Sequence, residues 1–477
     1  MVRWLRYGYP LPFYKNDRGL PISPPLRSVP PKAVLTSYAD PGKHASLLQA
    51  VDLLLTKQAI REIPHSDPVY FNRVFLVPKK NGKLRLVTDL SQLNTWVDCP
   101  SFRMDHAQVV RDALSPGMWA TSIDLSDAYL HIPIHPSYWK YLTFQIGSKR
   151  YQFMVLPFGL NTAPRVFSEV MKILKKWGRR VGIMLFQYLD DWLQLNLDAN
   201  KLAVQTAQLI KQCIMLGLLV NHEKSEPMPL QRIVFLGDLL DFEQGFIFPT
   251  RDRFTSIQNK ILRVTRSEAV PLKHIHSLVG LLTSTEKIVP FGRIHFRALQ
   301  AVLNSHLARK TDKHHPVVLT LAALKDLQWW SDENNVFRGL SMSRVIPDHQ
   351  VQTDASTTGW GINFNGSLIS GVWSHRDAQL HINLLEMKAV LFACQKLATV
   401  FANKTILFLI DNQTVVSYLT KQGGTHSHQL LDLTRAVLTI AERHTFLILA
   451  QHIKGALNVV ADLASRIECV VNTEWAV

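Results

Sequence analysis

The run VGIMLFQYLDDWLQLNL, residues 181–197, decides how this chain folds. Val181 to Tyr188 and Trp192 to Leu197 are short strand-like runs, so Tyr188-Leu189-Asp190-Asp191 falls at the tip of a β-hairpin. A hairpin tip can present two carboxylates outward at little backbone cost. Asp-Asp pairs are also common in tight turns, where they bond nearby backbone N–H groups and need no metal, so the pair alone assigns no chemistry. Other acids give it context. Asp124 precedes it at the end of the strand-like run Trp119 to Asp124, and Asp354, Glu386, Asp411 and Asp462 follow. Hard divalent cations take oxygen ligands and clamp the attacking and leaving oxygens of a phosphoryl transfer. The chain therefore reads as carrying two phosphodiester sites.

Composition bounds the partners. With 477 residues, 47% hydrophobic and 19% charged, the chain is globular and long enough for two or three domains. Lys and Arg number 53 against 37 Asp and Glu, a net charge of +16. That surplus, despite the acids above, points to a polyanionic partner, nucleic acid first. Cys99, Cys213, Cys394 and Cys469 are scattered, which signals neither a zinc knuckle nor a disulfide framework and fits a reducing compartment. The sequence shows neither a membrane-length apolar run nor a signal-peptide core, so we expect a soluble, intracellular protein of cytoplasm or nucleus.

Four parts are expected. Residues 1–45 are proline-dense and read as an extended arm, lying on the body or loosely attached. Residues 46–249 open with a helix (Ala45 to Ile60) and a hairpin around Asn81-Gly82. They continue through a helix at Thr162 to Trp177, the hairpin already quoted, a helix at Ala199 to Leu216 and strands at Val234 to Leu240 and Gly245 to Phe248. This is an α+β sheet of the split βαβ kind. Residues 250–345 are helical and basic, with Arg251, Arg253, Lys260, Arg263, Arg266, Lys273, Lys287, Arg293 and Arg297, either a clamp for a duplex or a solvated face. Residues 346–477 form an α/β domain: three strands, a helix from Leu384 to Leu397, a strand at Ile406 to Ile410, two helices and a last strand at Phe446 to Ile453.

In order and spacing these motifs resemble the reverse transcriptases of retroviruses and long-terminal-repeat elements. Ser122-Ile123-Asp124-Leu125-Ser126-Asp127-Ala128-Tyr129 is similar to the family's first palm motif. The resemblance implies that Asp124 binds both metals and that Tyr129 blocks a ribose 2′-OH, although Tyr129 also reads as an ordinary core aromatic. Leu156-Pro157-Phe158-Gly159-Leu160 with Ala163-Pro164 resembles the motif lining the nucleotide pocket. Tyr188 to Asp191 resembles the third motif, Lys224 the lysine of the fourth, and Phe235-Leu236-Gly237 the primer grip. Lys79, Lys80 and Arg85 match the fingers residues that contact the triphosphate. Asp127 reads as serving a local turn or cap.

Residues 346–477 resemble ribonuclease H by the same order: Asp354 ending the first strand, Glu386 on the first long helix, Asp411 ending the fourth strand, and Asp462 on a closing helix. His452, placed on the loop after the last strand, matches that family's mobile histidine. The resemblance implies a right-hand polymerase of fingers, palm and helical thumb followed by a ribonuclease H-like domain. It implies an RNA template, a DNA primer, RNA–DNA hybrid and dNTPs as partners, and two Mg²⁺ per active site, with Mn²⁺ as a substitute. The tract Leu278-Val279-Gly280-Leu281-Leu282, the run Val289-Pro290-Phe291-Gly292-Arg293 and Phe158 are closest to DIRS-type retrotransposons. A domesticated nucleic-acid-binding protein, and a working nuclease beside an idle polymerase, are the rival readings. Primer identity and oligomeric state are not encoded in these motifs.

Overall fold

In the computed structural model, which describes residues 2–31, 40–78, 84–102, 104–105 and 107–466, the quoted run forms two antiparallel strands, Met184–Tyr188 and Asp191–Asn196. They lie in a four-stranded sheet with Trp119–Asp124 and Glu226–Leu230 as the third and fourth strands. Helices Ala163–Arg180 and Ala199–Met215 pack against this sheet. The first shows why: Ala163, Val166, Phe167, Val170, Met171 and Leu174 recur at helical spacing and are buried, while Pro164 opens the first turn where its missing N–H costs nothing. The fingers ribbon pairs Arg73–Pro78 with Leu84–Asp89. Lys79, Lys80, Asn81 and Gly82 lie outside the described residues, as does Cys469, and of Arg85 only the strand backbone is described.

The chain divides into two compact units, Met1–Leu236 and Gly237–Val477. In the first, the proline-rich arm lies on the body: Tyr9, Leu11 and Phe13 enter the core, and backbone bridges join Tyr9 to Ile134 and Phe13 to Val97. Prolines keep the segment extended, and its few large apolar residues supply the adhesion. One expected strand is broken. Val234 to Leu240 splits into Arg232–Phe235 and Asp238–Asp241 because Leu236 and Gly237 both take positive φ, 51° and 80°, the geometry of a tight turn.

The second unit begins with the hairpin Asp238–Asp241 and Phe246–Pro249, continues through helices Arg251–Thr265, Leu272–Thr285, Arg297–Ala308 and Leu321–Ser331, and ends in a five-stranded sheet. That sheet runs Ser367–Val372, Gly359–Phe364, His349–Ala355, Thr405–Ile410, Leu447–His452, antiparallel among the first three and parallel among the last three. Among the described residues no helix is long and apolar enough to cross a membrane. The fold class is α+β, a polymerase-type sheet followed by a ribonuclease H-like α/β layer.

Several residues of the basic helical segment, expected to be either a duplex clamp or a solvated face, instead turn inward. Arg253 pairs with Asp238 at 2.6 Å and Arg293 with Glu286 at 2.7 Å. Arg297 is buried and donates to the carbonyl oxygens of Lys421, Gln422 and Gly423, binding the helical segment to the α/β layer. Beside it Arg435 reaches Asp326 at 2.7 Å, and Glu442 accepts from Trp329 at 3.0 Å and Arg338 at 2.8 Å. Arg263, Arg266, Lys273 and Lys287 remain exposed. We expect Arg297→Ala to destabilise the second unit by about 3 kcal/mol, because three carbonyls lose a charged donor. Urea unfolding of the whole chain measures this, and a change below about 1 kcal/mol would contradict it.

Candidate active sites

The first site is built by a strand ladder. Asp124, the last residue of its strand, lies directly opposite Asp191, the first residue of the neighbouring one, so the two carboxylates emerge side by side. Asp190 adds a third from the two-residue turn. That turn needs Leu189 at φ 53°, a left-handed conformation costing a non-glycine residue about 1 kcal/mol. Two bonds hold it there: Trp192 Nε1–H donates to the Leu189 carbonyl at 2.8 Å, and Leu125 N–H donates to the Asp190 carbonyl at 3.0 Å. Burial, then the neighbouring charges, raise the Asp191 carboxyl to about 6, and burial first raises Asp190 as well. Lys224 Nζ stands 3.8 Å from Asp124 Oδ2 on a mostly exposed side chain.

Residues that sequence reasoning passed over fix this geometry. Asp124 N–H donates to Ser225 Oγ at 3.0 Å, and Ser225 Oγ–H donates to Asn221 O at 2.7 Å. Asp105 pairs with Lys175 and accepts the Gln187 N–H at 3.1 Å, anchoring the strand before Tyr188. No sequence signal marks either as anything but a polar loop residue.

Tyr129 is nearly buried, its ring held 4.9 Å from Phe158 and 5.8 Å from Phe167 between centroids. Burial, with Asp190 and Tyr188 nearby, pushes its phenol up to about 12, so it stays neutral. It is thus both a packed aromatic and a wall beside the acids. Phe158 is exposed, and Gly159 takes φ +96° in a position where a Cβ would lie 2.7 Å from the Thr88 carbonyl. Asn94 locks this loop by donating to Gly159 O at 2.9 Å and accepting from Asn161 N–H at 3.0 Å. Asp127 takes φ 53° ahead of the short helix Ala128–His131 and pairs with Lys57 at 2.5 Å.

The second site lies at the carboxyl ends of parallel strands. Gln352 pairs with Leu409, so the same register carries Asp354 to the level of Asp411 just past the strand end. Ligands of α/β sheets bind at such ends. Glu386 comes from the helix Ile382–Lys396. One ligand oxygen from each of Asp354, Glu386 and Asp411 lies within 4.8 Å of the others, the one such acidic group among the described residues. Burial first, then the charges of Asp354 and Asp411, push Glu386 up to about 9, and burial raises Asp354 and Asp411 too. Glu386 Oε2 is buried without a hydrogen-bond partner. A cluster of three crowded acids with an orphaned buried oxygen fits a hard cation.

Asp462 does not join that group; its carboxylate is taken by Arg466, four residues on, at 2.7 Å. His452 is the last residue of its strand, not of a loop, paired with Ile410, with Nε2 3.1 Å from the Asp411 carbonyl oxygen. Within the strand expected at Phe446 to Ile453, Gln451 and His452 have parallel partners in Leu409 and Ile410, so the histidine lies inside the sheet.

Residues 77–238 match the family model described as "Reverse transcriptase (RNA-dependent DNA polymerase)". The chain is 27% identical over 235 residues, 48% of its length, to "Protein P" of Duck hepatitis B virus (strain United States/DHBV-16), of which it spans 28%. It is 22% identical over 420 residues, 84% of its length, to the "Putative enzymatic polyprotein" of Cassava vein mosaic virus, spanning 61% of that protein. Among solved structures it shares the fold of a foamy viral protease-reverse transcriptase described in complex with RNA/DNA hybrid. The TM-score is 0.54 at 16% identity, over 95% of this chain and 60% of the other. The stretch from residue 77 to residue 238, with Asp124, Asp190 and Asp191 inside it, is a reverse transcriptase domain of the kind carried by retroelement and viral polymerases.

Proposed function

We propose that this chain is an RNA- and DNA-directed DNA polymerase with a fused ribonuclease H, acting inside the cell on the RNA of a retrotransposon. The observation that carries the reading is the ladder pairing of Asp124 with Asp191, with Asp190 at the adjoining turn, inside the reverse transcriptase domain. The crowded acids of the second unit support the nuclease half, and a structure sharing its fold is described with RNA/DNA hybrid. The DIRS-type assignment rests on the tract Leu278 to Arg293 and on Phe158. Functionally we keep four parts: the arm 1–45, fingers and palm 46–249, helical thumb 250–345 and nuclease 346–477.

Two Mg²⁺ or Mn²⁺ per site would neutralise developing charge on the transferring phosphate and lower the pKa of a bound water. Asp124, Asp190 and Asp191 would hold the first pair, and Asp354, Glu386, Asp411 and Asp462 the second, for which Asp462 would have to leave Arg466. Lys79, Lys80 and Arg85 neutralise the triphosphate of the incoming dNTP, and Lys224, tethered near Asp124, adds a mobile cation. Phe158 and Gly159 line the nucleotide pocket. His452, at the edge of the second site, reaches the departing phosphate without ligating metal, since hard cations prefer oxygen.

Tyr129 acts by shape. A neutral ring packed against two phenylalanines would resist moving away from a 2′-OH, so Tyr129→Val should raise ribonucleotide incorporation by about 10-fold or more. Unchanged sugar selectivity in single-nucleotide extension would assign Tyr129 to packing alone. The reading as a whole is tested by supplying the purified chain with Mg²⁺, dNTPs and a DNA primer on an RNA template. Extension supports it; tight hybrid binding without extension or cleavage would mark a nucleic-acid-binding protein, and cleavage alone a nuclease with an idle polymerase.

A further inference from the structure

Asp354 is held at both ends of its carboxylate by residues of one short element. Asn458 Nδ2–H donates to Asp354 Oδ1 at 3.2 Å, and Ser465 Oγ–H donates to Asp354 Oδ2 at 2.6 Å. Both donors are almost fully buried. They stand four residues before and three after Asp462, so one face of the closing helix Val459–Arg466 and its entry turn carries both. That face is lined with small residues, Ala461, Ala464 and Ser465, and docks against glycines. A Cβ on Gly361 would lie 2.4 Å from the Ala461 carbonyl, and one on Gly359 2.9 Å from that of Ser465. Ser356, two residues past Asp354, closes the loop by donating its hydroxyl to the Ser465 carbonyl at 2.7 Å.

An ionised carboxylate offers about four lone-pair positions, two on each oxygen. One hydrogen bond to each oxygen leaves one free position on each, and a carboxylate gripped at both oxygens is not free to rotate. From this geometry we propose that Ser465 and Asn458 are positioning residues that fix the Asp354 carboxylate in its place beside Glu386 and Asp411, making closure of the last helix a condition for cation binding in the second unit. This rests on the nuclease reading above. The helix that brings the fourth acid therefore also orients the first, and site assembly is a single event. Asn458 also donates to the Thr353 carbonyl at 3.1 Å, so Ser465 is the cleaner probe.

The experiment titrates Mn²⁺ into the full chain by electron paramagnetic resonance, with Asp190→Asn and Asp191→Asn removing the polymerase site from the signal. Hybrid cleavage is followed against Mg²⁺ concentration in parallel. Ser465→Ala should weaken Mn²⁺ binding, and raise the Mg²⁺ needed for half-maximal cleavage, by about 10-fold, with cleavage at saturating Mg²⁺ within about threefold of the parent. Ser465→Thr, which keeps the hydroxyl, should restore both, and Asn458→Ala should repeat the Mg²⁺ shift. Unchanged binding in Ser465→Ala, with a parent that cleaves, overturns the brace and leaves the nuclease reading standing. A loss of cleavage that saturating Mg²⁺ does not recover and Thr does not rescue also overturns it, since Ser465 would then be only packing. A parent that neither binds Mn²⁺ nor cleaves hybrid overturns the nuclease reading, and the brace with it.

Discussion

Asp191→Asn and Asp124→Asn are each expected to lower primer extension on the order of 10³-fold or more, because each removes an oxygen ligand from a site whose chemistry depends on cations. The same substitution separates chemistry from folding. The Asp191 carboxyl is raised to about 6, so its ionisation costs the folded state stability as pH rises from the usual carboxylate range through that value. A neutral asparagine escapes that cost. At pH 8 Asp191→Asn should therefore melt no lower than wild type while extension disappears. Single-turnover extension paired with a thermal melt checks both halves. Activity within about tenfold of wild type, or a lower melting temperature, would contradict this account.

Cation loading of the second unit should release protons. Glu386, held at about 9 by burial and by the charges of Asp354 and Asp411, carries a proton at neutral pH and must give it up to become a ligand. We expect calorimetric Mn²⁺ binding near pH 7.5 to release about one proton, read from the dependence of its enthalpy on the buffer. Apparent affinity should climb by up to about tenfold per pH unit toward pH 9. A carboxyl raised in the folded state binds more protons there than when unfolded, so the metal-free protein should lose stability as pH rises from about 4.5 toward 9, and cations should restore it. Glu386→Gln should abolish the proton release and hybrid cleavage together. Binding with no buffer dependence would mean Glu386 is already ionised or is not a ligand.

The strands and helices around both sites were legible because their apolar residues keep strict period. Trp119–Asp124 appears as expected, and the strands read at Ile406 to Ile410 and Phe446 to Ile453 lie within one residue of those bounds. What escaped was set by tertiary partners. The break at Leu236-Gly237 depends on two left-handed residues in a row, and leucine gives no hint of one. Arg253, Arg293 and Arg297 look like surface cations until Asp238, Glu286 and the carbonyls at 421–423 are brought to them from elsewhere in the chain. Ser225 and Asp105 carry no pattern at all. Asn458 and Ser465 left one faint trace: with Asp462 they keep a four-then-three spacing, one side of two helical turns, and an asparagine and a serine on a buried face need a polar partner.

On the proposed reading, one chain holds two phosphoryl-transfer sites of separate residues. That is tested most directly by following both strands of one substrate, a labelled DNA primer on a differently labelled RNA template, with wild type, Asp191→Asn and Glu386→Gln. Wild type should lengthen the DNA and shorten the RNA. Asp191→Asn should shorten the RNA without lengthening the DNA, and Glu386→Gln should do the reverse. Loss of both activities in either variant, or RNA cleavage that persists in Glu386→Gln, would contradict the claim.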